Sequence, residues 1–156
     1  MIRRLNHAVL WVREARASAE FYQRVLGFEA VGSMGDQAVF LRADGSTNDH
    51  DLGLFSVGAR PRPAPHSPGL YHLAWQVHTI EDLAALRARL LEAGALVGES
   101  DHGASKSLYA VDPDGIEFEV MWAVPRENWP REGPGTSRLD LDAELARWSA
   151  VDTADQ

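Results

Sequence analysis

The chain contains no cysteine. That excludes a disulfide framework and a thiolate metal site, so any metal would take nitrogen and oxygen ligands. Long apolar runs are also missing, and 45% hydrophobic with 24% charged residues is the composition of a globular chain, neither disordered nor membrane-spanning. Positive charge is scarce: 15 Lys and Arg stand against 23 Asp and Glu, for a formal net charge of -8. A surface of that sign repels phosphate backbones and anionic lipid headgroups, so neither a nucleic-acid nor a membrane partner is expected. The stretch from Met1 to His7 lacks the apolar core and small-residue cleavage site of a signal peptide, which makes a cytoplasmic location the expectation. At 156 residues the chain suits one domain with a substantial core.

What is present is a pattern that occurs twice. Residues 5–12 are rich in β-branched and aromatic side chains and read as a strand with His7 near its start. From Glu14 to Leu26 the apolar residues Phe21, Tyr22, Val25 and Leu26 fall at helical spacing, and Gly27 supplies the stop. Short strands are predicted at 28–32, 37–42 and 51–57, with turn residues Gly35 and Asp44-Gly45 between them. Residues 58–69 carry four prolines, which forbid a regular helix, and read as a linker. The order then repeats: a strand at 70–77, a helix capped by Thr79 with Asp82 three residues on, and strands at 95–98, 107–111 and 116–123. Leu83, Leu86 and Leu90 form that helix's apolar stripe, and Gly94 ends it.

Superposing the halves sets Leu5-Asn6-His7 on Leu70-Tyr71-His72 and Gly27 on Gly94. The last strands correspond as Asp51-Leu52-Gly53-Leu54-Phe55 and Glu117-Phe118-Glu119-Val120-Met121, so Gly53 occupies the place of Glu119. A half of this size buries its own core poorly, and the expected domain is one paired βαβββ unit over residues 1–124, with modules at 2–57 and 70–124. Residues 125–156 form a tail in which Leu139, Leu141, Leu145 and Trp148 predict a short amphipathic helix.

Two histidines at equivalent positions, with a carboxylate on an otherwise apolar strand, point to metal ligation, because a lone buried carboxylate is costly. Strand alternation puts Glu117 and Glu119 on one face and does not choose between them. The ordered motifs are Asn6-His7-Ala8-Val9-Leu10, Phe21-Tyr22 through Gly27-Phe28, His50-Asp51-Leu52, Tyr71-His72-Leu73-Ala74 and Asp112-Pro113-Asp114-Gly115 through Glu119. Together they resemble the vicinal oxygen chelate superfamily, and within it the compact, single-pair extradiol ring-cleaving dioxygenases. That resemblance implies an α+β fold whose two modules form an open, cup-shaped mixed sheet around a metal. It makes His7, His72 and Glu119 the ligands of iron(II), with manganese, zinc or nickel as ions the same ligand types accept. It implies that His50 stands beside the dioxygen position as acid and base, that Tyr109 hydrogen-bonds there, and that His102 supports them, although its spacing to Tyr109 is shorter than in the larger enzymes. A catechol-like aromatic and dioxygen are the implied reactants, and a homodimer the implied assembly.

Other readings follow from the same residues. A glyoxalase-type lyase or isomerase normally adds a fourth ligand from the first module's last strand, where this chain has Gly53, unless Asp51 turns inward. A metal-free protein that sequesters an antibiotic, resembling the bleomycin-resistance members, generally lacks the triad. His66 in the linker and His78 before the Thr79 cap read as solvent-facing. Trp11, Trp75, Trp122 and Trp129 read as core or pocket wall.

Overall fold

The computed structural model describes every residue except 63, 65, 132, 134, 152 and 154–156. It divides into two compact units, residues 1–69 with Asp112–Gly115, and residues 70–111 with 116–156.

The first unit holds β1 (Ala8–Val12), α1 (Ala15–Phe21), β2 (Glu29–Ser33), β3 (Ala38–Arg42) and β4 (Leu52–Ser56). Its sheet runs β1-β4-β3-β2, with β1 parallel to β4 and the other neighbours antiparallel. Alternation decides which side is core: Leu10 and Val12 of β1 are buried with Leu41, Leu52 and Leu54, while Val9 and Trp11 point the other way and are exposed. Ala15, Ala19 and Phe21 of α1 complete that core. The predicted helix to Leu26 is α-helical only to Phe21. Its last turn, Tyr22–Leu26, is a π-helix that buries both Tyr22 and Val25, and Gly27 ends it at φ 80°. Tyr22 directs its hydroxyl at Asp112 across 3.3 Å, and burial first, then the Asp112 charge, raises that phenol far above its ordinary value.

The second unit repeats the order with β5 (Leu73–Val77), α2 (Ile80–Glu92), β6 (Leu96–Asp101), β7 (Ser105–Val111) and β8 (Glu117–Ala123). Its sheet runs β5-β8-β7-β6, again with the first strand parallel to the last. The predicted cap forms in full: the Thr79 hydroxyl accepts from the Asp82 amide, and the Asp82 carboxylate accepts from the Thr79 amide. Leu83, Leu90, Leu108, Phe118, Val120 and Trp122 make its core. The tail helix α3 (Leu141–Trp148) starts where the Asp140 side chain accepts from the Ala143 amide at 3.1 Å.

Thus the chain is α+β, with two βαβββ modules that each carry an open four-stranded mixed sheet. The first strand of each module is shorter than predicted, so His7 and His72 stand just ahead of β1 and β5. Of the four tryptophans read as core or wall, Trp122 is fully buried, whereas Trp11 is 69% exposed and Trp129 43% exposed. Trp11 sits on the outer side of the β1 alternation, edge-on to Phe55 at 5.8 Å between ring centres. No helix among the described residues is long and apolar enough to cross a membrane.

Candidate metal centre

In the first unit, the loop ahead of β4 positions His7. Asp51 is buried and accepts from the Ala43 amide at 2.9 Å, the Ser46 hydroxyl at 2.9 Å and the Asn48 side chain at 2.6 Å. The Asn48 amide nitrogen also donates to the Asn6 carbonyl at 2.8 Å, and the Asn48 amide oxygen accepts from Arg4 at 2.7 Å and from the Asn6 side chain at 3.2 Å. With its amide nitrogen so engaged, Asn6 presents its Oδ1 to His7 Nδ1 at 2.9 Å. An amide oxygen only accepts, so Nδ1 carries the hydrogen and Nε2 keeps the free lone pair. That is the state in which an imidazole binds a metal, its other nitrogen held by an oxygen.

His50 stands at the end of the same loop, with its ring centre 4.5 Å from that of His7 and 5.2 Å from that of Phe40. Its Nδ1 lies 2.9 Å from an Asp49 oxygen, and that side-chain hydrogen bond leads the causes that hold the Asp49 carboxyl below its ordinary value. His7 and His50 therefore form one group within the first unit.

The second group contains His72, Glu117, Glu119, Tyr109 and His102. His72 Nε2 lies 3.1 Å from Glu119 Oε2, and His72 Nδ1 lies 3.8 Å from Glu117 Oε1. Alternation leaves the two glutamates on one face, and the distances differ: the Glu119 oxygen is the nearer to the His72 ring. Two ligands at right angles, each about 2.1 Å from an ion, are about 3.0 Å apart, so the His72–Glu119 pair has the spacing of one edge of a coordination sphere. Imidazole nitrogen and carboxylate oxygen are donor types that iron, manganese and zinc all accept. His72 Nδ1 is buried without a hydrogen-bond partner.

Tyr109 pairs directly with Glu119 in the β7–β8 ladder, and its ring centre is 5.8 Å from that of His72. Burial first, and the Glu119 charge second, hold its phenol above the ordinary value, so it remains protonated at neutral pH. His102, in the turn between β6 and β7, brings Nε2 to 2.8 Å from the Tyr109 oxygen. The shorter sequence spacing does not keep these two side chains apart.

Among the described residues, no three or more histidines and carboxylates gather closely enough to hold a metal ion. The expected site residues fall into the His7–His50 group and the His72–Glu119–Tyr109–His102 group. His66 and His78 are exposed, as expected. Sequence reasoning missed Asn6 and Asn48. Asn6 stood inside the quoted Asn-His motif, and the 48–51 segment reads as a turn, but nothing local shows that Asn48 reaches Asn6 across 42 residues of chain.

The register of the two sheets bears on the missing ligand. Val9 pairs with Gly53 as Ala74 pairs with Glu119, and Phe40 pairs with Gly53 as Tyr109 pairs with Glu119. Gly53 thus occupies the position of Glu119 in its own sheet. A Cβ there would meet Val9 at 3.4 Å and Phe40 at 3.7 Å, ordinary contacts, so crowding does not demand glycine. Asp51, the acid that would have to turn inward as a substitute, is committed to the loop by three hydrogen bonds.

Residues 4–120 match the family model of the glyoxalase/bleomycin resistance protein/dioxygenase superfamily. The chain belongs to that superfamily. It is 32% identical over 150 residues to a catechol-2,3-dioxygenase of Bacillus subtilis, a match over 90% of this chain and 50% of that enzyme. It is also 35% identical over 115 residues to an ethylmalonyl-CoA/methylmalonyl-CoA epimerase of Cereibacter sphaeroides, covering 67% of this chain and 83% of the epimerase. A solved domain of the superfamily from Frankia sp. EAN1pec superposes with a TM-score of 0.63 at 26% identity, over 80% of this chain and 100% of the domain. This superfamily chain therefore spans about half the length of the Bacillus dioxygenase.

Proposed function

We propose that the chain is a metal-dependent extradiol-type dioxygenase that opens a catechol-like ring beside its two hydroxyls, with His7, His72 and Glu119 as ligands of one iron(II) ion. The observation that carries this reading is Gly53: the place of a fourth protein ligand holds no side chain, and Asp51 is not free to replace it. Three protein ligands leave adjoining positions for a bidentate substrate and dioxygen. Similarity to a catechol-2,3-dioxygenase supports the same branch.

The ion, when bound, supplies Lewis acidity towards the phenol and a route for electrons between substrate and oxygen. The protein groups do the rest. Asn6 holds the His7 ring with Nε2 free. His50, packed against His7 and Phe40, holds or moves a proton at its Nε2 while Asp49 orients its Nδ1. Tyr109, kept as a phenol by burial and by Glu119, forms a hydrogen bond with a hydroxyl of the substrate through its phenol oxygen.

The second reading is proton transfer of the lyase or epimerase kind, favoured by the similarity to the epimerase. The same experiment separates the two. Protein loaded with iron without oxygen should consume oxygen when given a panel of simple and substituted catechols, with a yellow ring-fission product appearing. A fully loaded protein inert towards every catechol would overturn the dioxygenase reading.

A further inference from the structure

The tail beyond β8 is laced to the turn that carries His102. Ser137 and Asp101 exchange backbone hydrogen bonds at 2.9 Å in both directions, extending β6 by one bridge. Gly103, at φ 76°, lies so close beneath Pro130 that a Cβ there would come within 2.8 Å of the proline ring. Between these two fastenings, His102 Nδ1 lies 3.2 Å from the Gly135 carbonyl oxygen and 3.2 Å from the Thr136 hydroxyl. The anchor further along is a Lys106 side chain only 5% exposed, whose Nζ reaches Asp101 at 2.7 Å and Glu144 of α3 at 3.3 Å. Trp148 Nε1 donates to the same Glu144 at 2.8 Å, and the Trp148 ring packs on the buried Trp122.

A carbonyl oxygen has no hydrogen to give, while the Thr136 hydroxyl can give or accept one, so a hydrogen on Nδ1 is the arrangement that serves both neighbours. In a neutral ring the other nitrogen is then an acceptor. We propose that the Gly135–Ser137 strap is part of the active site: it fixes His102 as the Nδ1–H tautomer, so that Nε2 takes the Tyr109 hydroxyl hydrogen. The phenol oxygen then offers lone pairs alone to whatever binds beside Glu119, and selects a ligand that donates a hydrogen there, such as an aromatic hydroxyl. His102 and Thr136 are positioning residues in this scheme, acting through Tyr109. The proposal rests on the reading of Tyr109 as a site residue, but its test does not require the protein to be a dioxygenase.

The tautomer is read directly by long-range proton–nitrogen correlation on metal-free protein labelled at histidine, with His102→Gln identifying the signal. His102 should show the Nδ1–H pattern alone, while exposed His66 shows the exchanging mixture of a solvated ring. Ser137→Pro removes the amide that bonds Asp101 and should release the Nε2–H form of His102. Thr136→Val should do so in part, and Thr136→Ser should restore the single pattern. An Nε2–H pattern in the unaltered protein, or a His102 spectrum like that of His66, overturns the proposal without recourse to the strap variants. A Ser137→Pro protein that keeps its thermal transition and an unchanged His102 signal overturns it too. Inertness towards catechols with the Nδ1–H pattern intact would sink the dioxygenase reading and leave the strap standing.

Discussion

Replacing Gly53 with glutamate asks directly whether position 53 borders the metal. The backbone tolerates a side chain, since the new Cβ would sit at ordinary distance from Val9 and Phe40. If the open three-ligand set is correct, Gly53→Glu should tighten zinc or manganese binding by about tenfold or more, about 1.4 kcal/mol, and abolish oxygen uptake. A folded variant with unchanged affinity and uptake would place position 53 outside the coordination sphere. Glu117 offers a second test. Its carboxylate lies 3.8 Å from the buried Nδ1 of His72, and a small shift would let it hold the hydrogen there. Glu117→Ala should weaken metal binding about 10- to 100-fold, the usual effect of losing the group behind a ligating imidazole. Glu117→Gln, which keeps an acceptor oxygen, should lose less. Cobalt titration followed by its visible spectrum measures both. These roles lay beyond the sequence because Glu117 and Glu119 share a strand face; only the placement of the His72 ring in the fold gives each a different nitrogen.

Elements explain which parts were legible. The βαβββ order, the Gly27 and Gly94 stops and the Thr79 box were all readable, since each is written in neighbouring residues with a period or a cap chemistry of its own. The π-helical turn after Phe21 was not, because it satisfies the same apolar spacing while burying Tyr22 and Val25 together. Nor was the docking of α3, in which the ammonium of Lys106 lies buried between Asp101 and Glu144. Glu144→Ala removes one of two carboxylates around that ammonium and the acceptor of Trp148. The loss should be about 2 kcal/mol, below the full penalty of a broken buried pair because Asp101 remains, and urea unfolding measures it. The Asp101 carboxyl is pushed up by burial, but Lys106 and the Gly103 amide outweigh this and leave it below its ordinary value. A depressed carboxyl stabilises the fold above the unfolded value and loses that contribution as pH falls through the folded one. Acid should therefore free the tail only below about pH 4, and less steeply in Glu144→Ala if the pair acts as one unit.

At the scale of the whole chain, the question is whether the two histidine groups serve one ion. Each module repeats the other in strand order and register, yet the carboxylate stands only in the second and the His50 loop only in the first. A duplicated fold with unlike contents has a thermodynamic consequence. Anything that binds the folded state alone stabilises it by RT ln(1 + [L]/Kd), about 2.7 kcal/mol when free metal is 100-fold above its dissociation constant. If His7, His72 and Glu119 hold one ion, then His7→Ala and His72→Ala should each remove nearly all of that gain, although the mutated residues stand in different modules. His66→Ala, on an exposed ring, should keep it whole. Thermal unfolding with and without manganese, an ion that avoids oxidation during the measurement, reads the difference. Were His7→Ala to keep the full metal-induced rise while His72→Ala lost it, the ligands would be His72 and Glu119 with water. His7 would then be a neighbour of His50 with no part in binding the ion.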